Sequence, residues 1–238
     1  MPPPCCTETP APGLVHDPVE PVTQYASADL IGPIAYDGHD PAHDPAWQST
    51  GAPSQNIYGR WCRHMCGMAC LRMALLHRDG CAPGLFELLA GARHFGAYVR
   101  QDDGTVKGLI YRPFVEFVED TYRLPATVHP ELDLGGLAAL LDEGYMVMAS
   151  VSKEIRRPEH DPERRGGHLV LAIGHTEGQV VFRNPSGHTP QALAPVMSLD
   201  RFGDFFAGRG VSLDLRRTVR PPAARTSAVR PVASQSIT

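Results

Sequence analysis

The sequence predicts an α+β fold in which helices come first and an antiparallel sheet second. Two observations carry this expectation. Between residues 66 and 144, apolar side chains recur at helical spacing in segments closed by glycine. From residue 145 onward the period changes to short, β-branched apolar runs bounded by glycine or charge. Helices followed by strands predict segregated layers, a helical half packed on one face of the sheet.

The first helix is CGMACLRMALLHR, residues 66–78. Ala69, Met73 and Leu76 form one apolar stripe, alanine and leucine favour the conformation, and Asp79-Gly80 ends it. Leu85 to Ala92 is a second, short helix. Leu109 to Tyr122 is a third, with Pro113 placed in its first turn, where a missing N–H costs nothing. Leu134 to Asp142 is a fourth, closed by Gly144. Strands follow at 145–152 (YMVMASVS), 168–174 (HLVLAIG) and 179–184 (QVVFRN). A short helix, SLDRFGDFFAG at 198–208, has Asp200 or Ser198 as its cap, and 211–216 is a last strand.

The ends differ from this middle. Eleven of the 23 prolines lie in the first 53 residues, without helical or strand period. Residues 1–45 therefore read as an irregular, proline-rich arm, docked by Val22, Tyr25 and Ile34. Residues 46–217 form the domain, and 218–238 read as a disordered, mildly basic tail.

Composition narrows the function. The chain has 238 residues, 42% hydrophobic and 20% charged, enough for one domain with a substantial core. A net charge of −4 gives no reason to expect nucleic acid or an anionic membrane as partner. No apolar run approaches the roughly 18 residues a membrane helix needs. MPPPCCTETPAPG lacks the basic and apolar regions of a secretory signal, so a cytoplasmic location is expected. In a reducing compartment Cys5, Cys6, Cys62, Cys66, Cys70 and Cys81 are not structural disulfides. Each is then a buried hydrophobe, a metal ligand or a nucleophile.

Cys66 stands in the first turn of its helix, where backbone N–H groups lack partners and the dipole favours an anion. A lowered thiol pKa is expected there, with Gly67 leaving the sulfur side of the turn uncovered and free N–H groups ready for an oxyanion. Alone, Cys66 reads as a core residue like Cys70; with His168 it reads as a nucleophile. Cys62, Cys66 and Cys70, with His64 among them, also share a helical face. They lack the distant second ligand pair of a zinc site, so neither metal nor cofactor is expected.

His168 follows Arg-Arg-Gly-Gly and opens a strand, so two glycines leave room for a substrate backbone at the strand mouth. A hairpin loop centred on Thr176 sets His168 directly opposite Asn184. The Asn184 oxygen then accepts from one imidazole nitrogen and leaves the other for the thiol, the base-plus-orienter arrangement of nucleophilic catalysis. The competing reading makes Asn184-Pro185-Ser186-Gly187 a plain turn. His64 lies too close to Cys66 along the chain to serve as base, and His175 falls in the hairpin loop.

MCGMACLRMAL resembles the nucleophile helix of the C39-like branch of papain-like cysteine peptidases, and GGHLVLAIGHTEGQVVFRNPSG resembles its His and Asp/Asn strands. The resemblance spans roughly residues 55–215. It implies a papain-like fold and acyl-thioenzyme chemistry on a peptide or amide bond: Cys66 attacks, His168 shuttles the proton, Asn184 orients His168. The family places a glutamine about six residues before the cysteine as oxyanion donor; here Arg60 stands there, leaving Gln55, Arg60, Trp61 and His64 as candidates. The charged stretch 152–167 reads as a lid, whose Arg156, Arg157, Arg164 and Arg165 either grip a substrate anion or pair with their own acids.

Three functions follow, none of which fixes an oligomeric state. The first is a thiol hydrolase with a peptide or amide substrate. The second is a transpeptidase or amide-forming acyltransferase, in which an amine resolves the same acyl-enzyme. The third is a catalytically silent binding module on the papain-like scaffold.

Overall fold

The computed structural model describes residues 14–216. Cys5, Cys6 and the segment from Thr218 lie outside the described residues. Helices and strands are α1 (Ile31–Tyr36), α2 (Gln55–Trp61), α3 (Cys66–Asp79), α4 (Leu85–His94), α5 (Tyr111–Tyr122), β1 (Ala126–His129), α6 (Leu134–Asp142), β2 (Tyr145–Ser152), β3 (Gly167–Thr176), β4 (Gln179–Arg183), α7 (Pro190–Leu193), β5 (Val196–Ser198), α8 (Leu199–Phe205) and β6 (Phe206–Asp214). The fold is α+β, with one six-stranded antiparallel sheet in the order β1-β6-β2-β3-β4-β5.

The sheet is covered on both faces rather than one. Seven of the eight residues of β2 are buried, as are the seven from His168 to Gly174 in β3, so neither face can be left to water. On one side Met146, Met148, Leu169, Leu171 and Ile173 meet the stripes of α3, α4 and α5. On the other, Val147, Ala149, Val151, Val170 and Ala172 meet Leu137 and Leu141 of α6 and Phe202 and Phe205 of α8. Apolar period alone does not distinguish a strand covered on one face from one covered on two when its polar positions are serines.

The four helices expected in the first half are present. α4 runs two residues further than expected, and Pro113 is the third residue of α5. α8 is capped by Ser198, whose hydroxyl accepts from the Arg201 N–H at 3.3 Å. The final strand begins at Phe206, inside the span expected to be helical, and β1 was not expected at all. The reason is shared: β1 and the start of β6 owe their conformation to pairing with β6 and β2 respectively, a non-local cause.

Residues 14–50 hold only short helices and lie against the first core. Val19, Tyr25, Ile31 and Ile34 are each at most 4% exposed, while Val22 is half-buried. The His16 N–H donates to the Ile173 carbonyl at 2.9 Å and the His175 N–H to the Leu14 carbonyl at 3.3 Å, extending the sheet by one antiparallel bridge. Gly174 allows the approach, since a Cβ there would stand 2.6 Å from the Leu14 oxygen and the Val15 Cα.

Candidate active site

α2 and a short 3₁₀ turn, Cys62–His64, lead into α3, so Cys66 is its first residue. Met65 at the cap position offers no side-chain acceptor. Two neighbours hold the carbonyls of the turn instead. Gln24 Nε2 donates to the Cys62 oxygen at 2.8 Å, and the Tyr98 hydroxyl donates to the His64 oxygen at 2.9 Å. Gln24 is buried, and its own N–H donates to the Pro185 oxygen at 2.8 Å, so it ties the start of α3 to the turn after Asn184. Nothing in the periodicity of the N-terminal stretch marks this residue; a lone glutamine among Val22, Thr23 and Tyr25 is the only signal.

The Cys66 thiol is free and half-buried. The expectation of a lowered pKa does not hold: loss of solvent pushes the thiol up, and this outweighs the Leu169 and Gly67 N–H groups and the Arg156 guanidinium, which pull it down. Gly67 also has a different purpose from the one expected. A Cβ there would lie 2.8 Å from Leu109 Cδ2, 3.2 Å from the Tyr98 hydroxyl and 3.3 Å from Leu169 Cδ1. The glycine is there because the turn is closely covered, not because it is open. Cys62 and Cys70 are core thiols whose sulfurs lie 3.7 Å from the Gly59 and Leu169 carbonyls, and burial pushes Cys62 up to about 12.

His168 and Asn184 come together. The Asn184 Oδ1 lies 2.8 Å from His168 Nε2, with both residues buried. The contact is not the direct opposition expected. The hairpin loop is Glu177-Gly178, both at positive φ, and β3 and β4 then shift register between Ala172 and Gly174. Continuing the pairing of Leu171 with Arg183 sets Asn184 beside Val170, two residues beyond His168 on the same face, and the bond runs diagonally.

Ser186, fully buried, completes the cluster. Its N–H donates to Asn184 Oδ1 at 3.1 Å, and its hydroxyl lies 3.0 Å from His168 Nε2 and 3.2 Å from Asn184 Oδ1. Arg156 Nε donates to that hydroxyl at 2.7 Å. Burial, helped by the Arg156 charge and opposed by the Asn184 bond, takes the His168 imidazole down to about 3. It is therefore neutral near pH 7.

A cleft of about 530 Å³ opens at the start of β3, lined by both Cys66 and His168 together with His64, Leu109, Tyr111 and Ser150. Of the four oxyanion candidates only His64 lines it; Gln55 and Arg60 are exposed and Trp61 is packed in the core. The arginines of 152–167 do not line it either. Arg156 turns to Ser186, and Arg157 stacks on Tyr36 at 3.3 Å from the ring centre. Arg164 and Arg165 are exposed at a shallow surface near Asp161 and Asp204. The cations of the cleft are Arg63, Lys107 and Arg209. Among the described residues no helix is long and apolar enough to cross a membrane.

No family model and no curated protein matches the chain. Among solved structures it is similar to the peptidase domain of Streptococcus ComA, a bi-functional ABC transporter involved in a quorum-sensing pathway. The identity is 17%, over 63% of this chain and 90% of that one, with a TM-score of 0.41. A likeness of that strength assigns neither family nor activity to this chain.

Proposed function

We propose that the chain is a cysteine-dependent hydrolase of peptide or amide bonds, with Cys66 as nucleophile, His168 as general base and Asn184 as its orienter. The observation that supports this reading is the 2.8 Å contact of His168 Nε2 with Asn184 Oδ1, from which the tautomer follows. Asn184 Oδ1 faces the Ser186 N–H, which can only donate, so the side-chain amide has one possible orientation. His168 Nε2, 2.8 Å from the same oxygen, must then carry the hydrogen, which leaves Nδ1 unprotonated in the neutral ring. A neutral imidazole with a free Nδ1, on the same cleft as a thiol at a helix start, is equipped for base catalysis.

In this mechanism thiol and imidazole are both neutral at rest. Nδ1 takes the Sγ proton as sulfur attacks the substrate carbonyl carbon. N–H groups at the start of α3 stabilise the oxyanion. The imidazolium then gives its proton to the departing amine, the C–N bond breaks, and a thioester remains on Cys66. Water, deprotonated by Nδ1, attacks the thioester and restores the thiol.

The test is iodoacetamide labelling of Cys66, followed by mass spectrometry, in the wild type and in His168→Ala. Faster labelling in the wild type by about 100-fold or more, the lower end of the range for base catalysis, is expected. Equal rates would leave a scaffold that binds without reacting.

A further inference from the structure

We propose that the cleft beside Cys66 receives a substrate bearing a carboxylate close to the reacting bond, and that Arg209 is the residue that reads it. The position of the reacting bond rests on the hydrolase reading; the carboxylate site rests on its own geometry.

The cleft is lined by Arg63, Lys107 and Arg209 and by no aspartate or glutamate, although the chain as a whole has 26 acids against 22 lysines and arginines. The sign of the cleft is thus opposite to that of the protein, and a low-dielectric wall strengthens it. The three cations are not equivalent. Arg63 donates to the Ile34 and His39 carbonyls, so its N–H groups are partly occupied by the backbone. Lys107 and Arg209 are both exposed at the cleft. Arg209 is the one that the fold aims.

Three features do the aiming. β6 pairs with β2 at Gly210–Ala149 and again at Phe206–Val151, so Ala207, Gly208 and Arg209 stand against Ser150 alone. Such a bulge turns a side chain out of the regular alternation, and Gly208 takes the positive φ of 65° within it. Gly166, two residues before His168, is the second feature. Its φ of 86° calls for glycine, and a Cβ there would lie 3.0 Å from Arg209 Nη2 and 3.5 Å from Ser150 Oγ, so the backbone passes close beside the guanidinium. The Tyr111 hydroxyl, engaged with both Ser150 and Arg209, is the third.

Arg209 nevertheless has no carboxylate partner. Arg78, Arg201 and Arg216 each pair with an aspartate, and among the described residues no ion pair involves Arg209. A guanidinium carries five donors in a planar fork; the tyrosine oxygen takes up part of it, and the exposed remainder is open to solvent or to a ligand. What remains matches the two oxygens of a carboxylate. On a peptide substrate that group is an acidic side chain or a terminal carboxylate.

Two alkylating reagents of nearly equal size test this. Iodoacetate carries the carboxylate that iodoacetamide lacks, and both give up iodide to the same Cys66 sulfur. Their rate ratio therefore cancels any change in the thiol itself. In Arg209→Gln the iodoacetate-to-iodoacetamide ratio at Cys66 is expected to fall about tenfold or more, the scale of one charged hydrogen bond. An unchanged ratio overturns the proposal.

If Cys66 reacts with neither reagent, or reacts equally in His168→Ala, it is the hydrolase reading that fails. The carboxylate site is then decided by calorimetric titration of the intact protein with N-succinyl- and N-acetyl-dialanine amide. Tighter binding of the succinyl peptide, lost in Arg209→Gln, supports the site. Equal binding of the two peptides overturns it.

Discussion

The Asn184 carboxamide oxygen sits 2.8 Å from His168 Nε2, and the backbone N–H of Ser186 holds that oxygen in place from 3.1 Å. The imidazole is thereby oriented by a side chain that cannot flip. Position and tautomer of the His168 ring are set together, by residues two apart in one turn.

Removing the oxygen should release the ring. Asn184→Ala is expected to lower the rate of Cys66 alkylation and of any amide hydrolysis by about 10- to 100-fold, a share of what a positioned base supplies. Asn184→Asp keeps an acceptor and should fall between alanine and wild type. Second-order labelling rates for the three proteins check this, and an alanine variant as fast as wild type would remove Asn184 from the mechanism.

The raised thiol and the neutral His168 predict the shape of the pH profile. A pre-formed thiolate–imidazolium pair would give alkylation that levels off in mildly acidic solution. Here burial holds the thiol up and the imidazole down, so no such plateau is expected, and the rate should climb with pH through 7 to 9. Arg156 pulls both groups down, so Arg156→Met should move the thiol midpoint to still higher pH and make His168 easier to protonate. Iodoacetamide rates against pH, with the His168 ring protons followed by NMR, measure the two shifts; opposite directions for the two groups would contradict the shared cause.

Stability should carry the mark of the same histidine. His168 titrates near 6.5 when unfolded and near 3 when folded, so between those values the unfolded chain binds more protons. The contribution is complete above pH 6.5 and is lost as pH falls toward 3, with a slope of at most about 1.4 kcal/mol per pH unit. His16, His64, His129 and His188 are also lowered and act in the same sense. Denaturation in urea from pH 7 to 5 should therefore show a smaller loss for His168→Gln than for wild type, and equal losses would place the proton elsewhere.

How much of this was legible depended on whether the cause was local. α3, α5 and the β3 strand announce themselves because period and propensity act over neighbouring residues. The pairing of His168 with Asn184 was readable as a meeting of two strands, but its register was not, because the loop is set by positive φ at Glu177 and Gly178 and by a later irregularity. Arg156 was visible as one charge among many in 152–167; that it reaches Ser186, thirty residues on, is a tertiary fact. Gln24, Tyr98 and Arg209 were missed for the same reason. The purpose of Gly67 was misread because sequence shows the missing Cβ and not the Leu109 and Tyr98 that would meet it.

The N-terminal stretch offers a test of how far such a segment can be part of a core without regular structure. Asp44 is fully buried. Its Oδ1 accepts from the Ser27 hydroxyl at 2.6 Å and the Ala46 N–H at 3.0 Å, and its Oδ2 from the Ser27 N–H at 3.0 Å and the Tyr58 hydroxyl at 2.7 Å. Tyr58 in turn accepts from the Ala26 N–H at 2.9 Å. Each carboxylate oxygen therefore faces a backbone N–H that can only donate. Whichever way an asparagine were turned, its NH₂ would meet one of them. Asp44→Asn is thus expected to be no conservative change, destabilising by about 1–3 kcal/mol, the cost of a buried unmatched group. Urea unfolding at pH 7 measures it. A loss within about 0.5 kcal/mol, the level of an ordinary surface substitution, would mean that the stretch from Ser27 to Ala46 contributes little to holding α2 and the approach to Cys66 in place.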